Sequence, residues 1–303
     1  MKKKSAVIAR RNHKDTLFRM IFSTKENLLS LYNAVNHSNY TDPAKLEIVT
    51  LKNAVYMNVK NDQAFLLDMQ LNLYEHQSTW NPNMPLRFLI YVAKEYQKLI
   101  RNHTLYASTL VELPTPHFVV FYNGEEEQEA ESELRLSQSF KQKTDKPELE
   151  LIVKVLNINL DKNQDVLEAC QLLKEYMLLV DRIRRYTAEY DDINLAVEQA
   201  VTECIEENIL ADFLRKNRTE AIEVSIFEYD EKREKELIRK AEFAEGERVG
   251  LEKGEKIGMK EGMDRIFEIN RLFRKKYTEK QIAEKMGLDE QEVRKILERL
   301  NAF

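Results

Sequence analysis

The residues best suited to chemistry lie in one stretch, Asn61-Asp62-Gln63-Ala64-Phe65-Leu66-Leu67-Asp68-Met69-Gln70-Leu71-Asn72-Leu73-Tyr74-Glu75-His76-Gln77. Its pattern predicts two short strands, 63–68 and 70–77, paired as a hairpin, with Asp62 opening the first and Glu75-His76-Gln77 closing the second. Side chains alternate faces along a strand, so Glu75 and Gln77 share one face and His76 takes the other. Two carboxylates and a polar partner gathered on a sheet can hold a hard divalent cation, a common means of hydrolysing a phosphodiester. Asp62 and Glu75 would supply oxygens to Mg2+ (or Mn2+), and the His76 carbonyl would be a third ligand. Gln77 stands where it could orient a water or a phosphate oxygen. The same residues also read as the wet face of an antiparallel hairpin, and geometry alone leaves both readings open.

The elements that must position these groups are legible as patterns. Residues 15–36 repeat apolar side chains at helical spacing (Leu17, Phe18, Ile21, Phe22, Leu28, Leu29, Leu31, Tyr32, Val35), and Ser23-Thr24-Lys25-Glu26 matches a capping box that starts a second helix. Asp15, just before this run, reads as an N-cap. Pro43 closes the region, and residues 46–59 read as extended chain. Asp68-Met69 is weak turn chemistry for a hairpin. Asn81-Pro82-Asn83-Met84-Pro85 breaks the extended chain and starts a helix over about 86–101. His117-Phe118-Val119-Val120-Phe121-Tyr122 is a continuous apolar run ending at Asn123-Gly124, the mark of a buried central strand. Residues 125–133 carry six glutamates and read as a solvated loop, and 149–158 is a further apolar strand.

From about Asn163 helical periodicity dominates. The expected organisation is therefore an α/β unit over 1–162, a helical region over 163–240 packing on it, and a helical tail over 241–303. In that tail Gly246, Gly250, Gly254, Gly258 and Gly262 recur at a strict spacing of four. On a helix they form a slowly winding stripe, each glycine costing roughly 1 kcal/mol against alanine. Either another helix approaches the stripe closely or the segment is partly unwound. The last stretch, Thr278 to Arg299, has helix-turn-helix spacing, with Ile282 and Ala283 in the first helix, Gly287 at the corner, and Val293 and Ile296 facing inward from the second. Asp289, Glu290 and Glu292 put acid on the would-be recognition helix, so Arg271, Arg274, Lys275 and Lys276 upstream make the better phosphate-binding patch. A plain three-helix cap or a dimerisation element is an equal reading of this tail.

Composition bounds the rest. A formal net charge of −5 excludes a surface that is basic all over, so any contact with DNA must come from a local patch. Cys170 and Cys204 are far apart, with neither metal-ligand nor disulfide-framework spacing, which suits a reducing cytoplasm. Met1-Lys2-Lys3-Lys4 is followed by no apolar run of the kind a secretory signal needs, and no stretch approaches the ~18 apolar residues of a membrane span. A cytoplasmic, membrane-free protein is expected.

Asp62 followed by Glu75-x-Gln77 resembles the D…ExQ variant of the PD-(D/E)XK nuclease fold. More narrowly, Tyr74-Glu75-His76-Gln77-Ser78-Thr79 and then Asn81-Pro82-Asn83-Met84-Pro85-Leu86-Arg87 resemble the Rpn/YhgA-like family of recombination-promoting nucleases, also labelled transposases. Thr115-Pro116, Phe121-Tyr122-Asn123-Gly124 and Asn157-Ile158-Asn159 are further family-like stretches, and the similarity covers roughly residues 14–260. The resemblance implies a restriction-endonuclease-like core, a mixed sheet flanked by helices, followed here by a long helical C-terminal region. It also implies Mg2+-dependent DNA cleavage by Asp62, Glu75 and Gln77, with an acid of the first helix such as Asp15 able to join the metal site. Two departures stand out: Asn61 replaces the superfamily proline, and Gln77 replaces the superfamily lysine. A neutral amide lends no positive charge to a phosphate, so another cation is needed, and Arg87 is a candidate whose alternative is a surface ion pair. His76 reads as structural, and Trp80 and Tyr91 as core anchors. A homodimer through the helical tail would suit double-strand cutting. The alternatives are a catalytically silent DNA-binding or regulatory protein and an oligomerising scaffold.

Overall fold

A computed structural model describes residues 16–49, 63–100, 105–106 and 108–301. Helix α1 (Leu17–Ile21) is capped by the Thr16 hydroxyl, which accepts the Arg19 N–H; Asp15, expected to be the cap, lies outside the described residues. Helix α2 (Lys25–Asn36) is capped by Thr24, which accepts the Asn27 N–H. The N-cap therefore falls at Thr24, one residue after the Ser23 of the expected capping box. The reason is local, since the Ser23 hydroxyl donates to the Met20 carbonyl at 2.8 Å and so closes α1 instead.

Six strands follow: β1 (Glu47–Ile48), β2 (Gln63–Leu67), β3 (Gln70–Gln77), β4 (Thr115–Tyr122), β5 (Glu131–Arg135) and β6 (Ile152–Asn157). They form one mixed sheet in the order β1-β2-β3-β4-β6-β5, with β3, β4 and β6 parallel and the other pairings antiparallel. Beyond Val49, the rest of the extended stretch expected over 46–59 lies outside the described residues. The β2–β3 hairpin turns at Asp68 (φ 46°) and Met69 (φ 60°), both in the left-handed region that a tight two-residue turn demands. Aspartate tolerates that region, whereas methionine does not favour it. The register is set instead by Phe65, Leu67, Leu71 and Leu73, all buried.

Helix α3 (Met84–Leu99) joins β3 to the parallel β4, with Pro85 in its first turn, where no N–H is needed. It starts two residues earlier than expected because the Asn81 side chain accepts the Asn83 N–H at 3.0 Å and turns the chain there. The acidic stretch 125–133, expected to be a loop, contains the start of β5. An edge strand needs few buried side chains. Leu134 is the buried one here, while Glu131 and Glu133 stay in solvent and Glu131 pairs with Lys154 at 3.2 Å.

After β6 come α4 (Gln164–Ala169), α5 (Gln171–Glu189), α6 (Ile193–Glu206), α7 (Ala211–Lys216), α8 (Arg218–Arg274), α9 (Glu279–Met286) and α10 (Glu290–Asn301). The sheet separates two cores by strict alternation. Tyr74, Val119, Phe121 and Leu156 face a cluster shared with α1, α2, α4 to α7 and the start of α8, through residues such as Phe18, Leu31, Leu173, Val197 and Val224. Leu71, Leu73, Val120, Tyr122, Val153 and Val155 face α3 through Met84, Phe88, Tyr91 and Val92. The architecture is therefore α/β, with a mixed sheet covered on both faces.

The chain divides into two compact units, Met1–Lys232 and Arg233–Phe303. In the second, Ile269 and Leu272 of α8, Ile282 and Ala283 of α9, and Val293 and Leu297 of α10 bury a small core of their own. A Thr278–Gln281 capping box starts α9, and Gly287 (φ 65°) ends it in a conformation that glycine adopts without strain. The helix-turn-helix spacing of the sequence is realised. Of the two readings of the glycine stripe, partial unwinding does not hold: α8 is unbroken through it, and a Cβ added at any of the five positions would meet nothing within 4 Å beyond the helix's own backbone. Among the described residues no helix is long and apolar enough to cross a membrane.

Candidate functional site

Glu75 sits near the carboxyl end of β3, on the α3 face of the sheet, and is 1% exposed. Its partner comes from the first turns of α3. Arg87 Nη2 lies 3.0 Å from Glu75 Oε2, and Nε and Nη2 donate to the Tyr91 hydroxyl at 3.1 and 2.9 Å. Nη1 lies 3.4 Å from Met84 Sδ, and the guanidinium stands 5.8 Å from the Tyr91 ring centroid. The spacing explains the convergence, because Met84, Arg87 and Tyr91 are three and four residues apart and share one side of α3. Packing of Met84, Phe88, Tyr91 and Val92 on the sheet then carries that side to Glu75. Arg87, whose alternative was a surface ion pair, is thus paired with a buried acid. Tyr91 is a core anchor, as is Trp80, whose ring meets Tyr122 edge-on at 5.8 Å.

Gln77 ends β3 opposite Tyr122 of β4, half-buried, on the Glu75 face by alternation. Asp62 lies outside the described residues; along the chain it precedes Gln63, whose ladder partner is Tyr74. Among the described residues no group of three His, Cys, Asp or Glu side chains could hold a metal. The donors at hand, the Glu75 carboxylate, the Gln77 amide and backbone carbonyls, are hard oxygens of the type Mg2+ takes. Without a second acid such as Asp62 they fall short of a full ligand set.

His76 takes the opposite face, as alternation demands. Its ring stacks on Phe18 at 5.0 Å and meets Tyr176 edge-on at 5.7 Å. The Tyr176 hydroxyl lies 3.0 Å from His76 Nε2 and accepts a bond from Asn123 Nδ2 at 3.3 Å. Burial pushes the imidazole down to about 4, with a hydrogen bond to Asn123 opposing the shift and the Arg184 charge adding to it. A ring so placed is neutral at physiological pH and serves structure.

The loops leaving β4 and β6 are tied by amide side chains and by Arg184, a role that the sequence did not assign to them. Arg184 of α5 donates to Asn159 Oδ1 at 2.9 Å and to the Asn123 carbonyl, and its Nε lies 3.8 Å from Glu125. Asn159 Nδ2 reaches the Gly124 carbonyl at 3.0 Å and Asn157 Oδ1 at 2.9 Å; Asn157 Nδ2 reaches the Gln128 carbonyl at 2.9 Å. Gly124 is required here, since a Cβ would lie 2.5 Å from Tyr122 Cζ and 2.7 Å from the Ser78 carbonyl. These loops stand at the carboxyl ends of parallel strands, the end of an open α/β sheet where ligands bind. The sequence signal was faint. Asn123-Gly124 read as a turn, Asn157-Ile158-Asn159 stood out only by resemblance, and nothing in the spacing singled out Arg184.

No family model, curated protein or solved structure matches this chain.

In the second unit, Arg271 pairs with Glu268 at 2.9 Å, and Arg274, Lys275 and Lys276 are exposed where α8 ends. Arg294 of α10 lies 2.8 Å from Glu279 and 3.8 Å from Glu290, so its charge is largely neutralised within the unit. On α3, Glu95 is buried beside Lys98 (3.0 Å); burial raises its carboxyl pKa although Lys98 works against the rise.

Proposed function

We propose that this chain is a Mg2+-dependent DNA endonuclease with a PD-(D/E)XK-type site, similar to the Rpn/YhgA-like recombination-promoting nucleases. The observation that carries the reading is a carboxylate, Glu75, buried near the carboxyl end of a central strand with a guanidinium beside it and an amide two residues on. Burying an acid is costly, and at Glu75 the cost is offset by a single guanidinium whose side chain is itself partly exposed. A mixed sheet with an antiparallel hairpin leading into parallel strands, and helices on both faces, supports a restriction-endonuclease-like core.

In this reading Asp62 and Glu75 supply the carboxylate oxygens that hold the ion. Bound Mg2+ would acidify a water and offset charge on the phosphate. Gln77 orients the water or a phosphate oxygen, and Arg87 supplies the positive charge that an amide at 77 lacks. Arg271, Arg274, Lys275 and Lys276 hold DNA phosphates, and the glycine-striped helix pairs two chains so that both strands are cut. The protein then works on DNA in the cytoplasm, and recombination follows from the broken ends.

The test is nicking of a supercoiled plasmid in Mg2+ by the wild type and by Asp62→Ala and Glu75→Ala. The wild type should nick, and both variants should lose activity by ~100-fold or more, about 2.7 kcal/mol of barrier. Equal cleavage by all three eliminates this site. A second reading, a silent DNA-binding or regulatory protein, is favoured by the guanidinium that closes over Glu75. It predicts no cleavage by any of the three, with salt-sensitive DNA binding kept.

A further inference from the structure

We propose that the side of α8 between Met259 and Phe273 is a docking surface for an acidic amphipathic helix of a partner protein. The inference does not depend on the nuclease reading. Met259, Met263, Ile266, Asn270 and Phe273 follow one another at steps of four, three, four and three. At about 100° per residue the five fall within about 80° of arc. Ile269 and Leu272, on the adjoining arc, are buried in the small core shared with α9 and α10. The seam itself is uncovered: Met259 is 66% exposed, Met263 55%, Ile266 40% and Phe273 41%. A strict stripe at this spacing suits contact with one other helix and is narrower than the face a helix buries in a core or lays on a membrane. Methionine adapts to an incoming side chain, and a polar residue inside such a seam, here Asn270, fixes the register of the partner.

Charge names the kind of helix. On the side of the seam away from Ile269 and Leu272 stand Lys256, Lys260, Arg271 and Arg274, with Phe267, 70% exposed, among them. Between Lys256 and Arg274 the acids are Glu261, Asp264 and Glu268, and all three fall on the opposite side of the helix. Lys256 and Arg271 are engaged with Glu252 and Glu268 at 2.7 and 2.9 Å. Lys260 and Arg274 have no ion-pair partner among the described residues. A row of acids flanking the seam of the incoming helix complements these cations. A second copy laid antiparallel on the seam would instead set two cationic rows against each other. DNA would take the cations but leave the apolar seam in water. Arg271 and Arg274 also belong to the patch proposed to hold DNA phosphates, so a docked helix withdraws them from DNA.

Fluorescence anisotropy of the full chain with a labelled three-heptad peptide tests this. The peptide carries leucine at the two seam positions of each heptad and glutamate at the two flanking positions; a second peptide carries lysine in place of glutamate. The glutamate peptide should bind at least ~10-fold more tightly than the lysine peptide, and Ile266→Glu should weaken it by ~10-fold or more. Lys260→Glu with Arg274→Glu should invert the preference. These side chains are exposed, so circular dichroism should show the fold unchanged in both variants. Failure of both peptides to bind, or equal binding of the two, overturns the proposal. Loss of binding on charge reversal but not in Ile266→Glu also overturns it, since the attraction is then to any polyanion. Two further results give the seam to another occupant and overturn it as well. One is a wild type that sediments as a dimer while Ile266→Glu is a monomer. The other is Ile266-dependent binding to phosphatidylserine vesicles with no binding of the glutamate peptide.

Discussion

Glu75 and His76 are neighbours in the chain and opposites in environment. One carboxylate is buried against a guanidinium, and one imidazole is wedged between Phe18 and Tyr176 on the other side of the sheet. The His76 environment has a pH consequence. Its folded pKa is lowered to about 4 from 6.5. Above pH ~6.5 the ring is neutral folded and unfolded, and its packing contributes in full. As pH falls below that value the unfolded chain takes up a proton that the folded chain refuses, so stability drops until about pH 4 and then levels off. The loss should reach about 3 kcal/mol. Urea unfolding at pH 7 and pH 4.5 should show His76→Phe losing about 2 kcal/mol less than the wild type over that interval. Parallel losses would mean that the ring titrates normally. Alternation alone separated these two residues in the sequence. What alternation could not show was the company each keeps, because Tyr176 and Arg184 come from a helix about a hundred positions on.

Elements were legible where burial imposes a period, and less so where local chemistry or an edge decides. The central strands β3, β4 and β6 are read from apolar runs because both faces are covered. β5 was missed because an edge strand carries the acids of a loop. The Asp68-Met69 turn looked weak because tertiary register, not turn propensity, forms it. Helix α8 poses a sharper question. Five glycines with open space around them weaken a helix for no benefit within one chain. If the stripe pairs two copies of the chain, Gly254→Ala with Gly258→Ala should raise helix content at dilution, each change by about 0.5–1 kcal/mol of helix stability. The same pair should weaken self-association, because each Cβ keeps the second helix away. Circular dichroism and sedimentation on one sample read both effects. Raised helicity with unchanged or stronger association would remove the stripe from any dimer.

At the scale of the molecule, a chain of net charge −5 has no general attraction to DNA, and function must be concentrated in local sites. The α/β class, the position of the sheet and the three-helix end were all legible in the sequence, since each follows from apolar spacing. The candidate site was legible in part. Glu75 and Gln77 were found from a strand motif, and Arg87 was found because it stands in the first turns of the next helix. The Asn123–Arg184–Asn159 network was not found, because hydrogen-bonded amides leave no periodic trace and are brought together only by the fold. The central claim is that the Glu75 charge, rather than its shape, is what the site requires. Single-turnover nicking of a supercoiled plasmid in Mg2+ by Glu75→Gln, against the wild type, measures this most directly, because the amide keeps the volume and one oxygen beside Arg87. The account predicts a fall of at least ~100-fold with the fold intact by circular dichroism; a Glu75→Gln protein that nicks at the wild-type rate would contradict it.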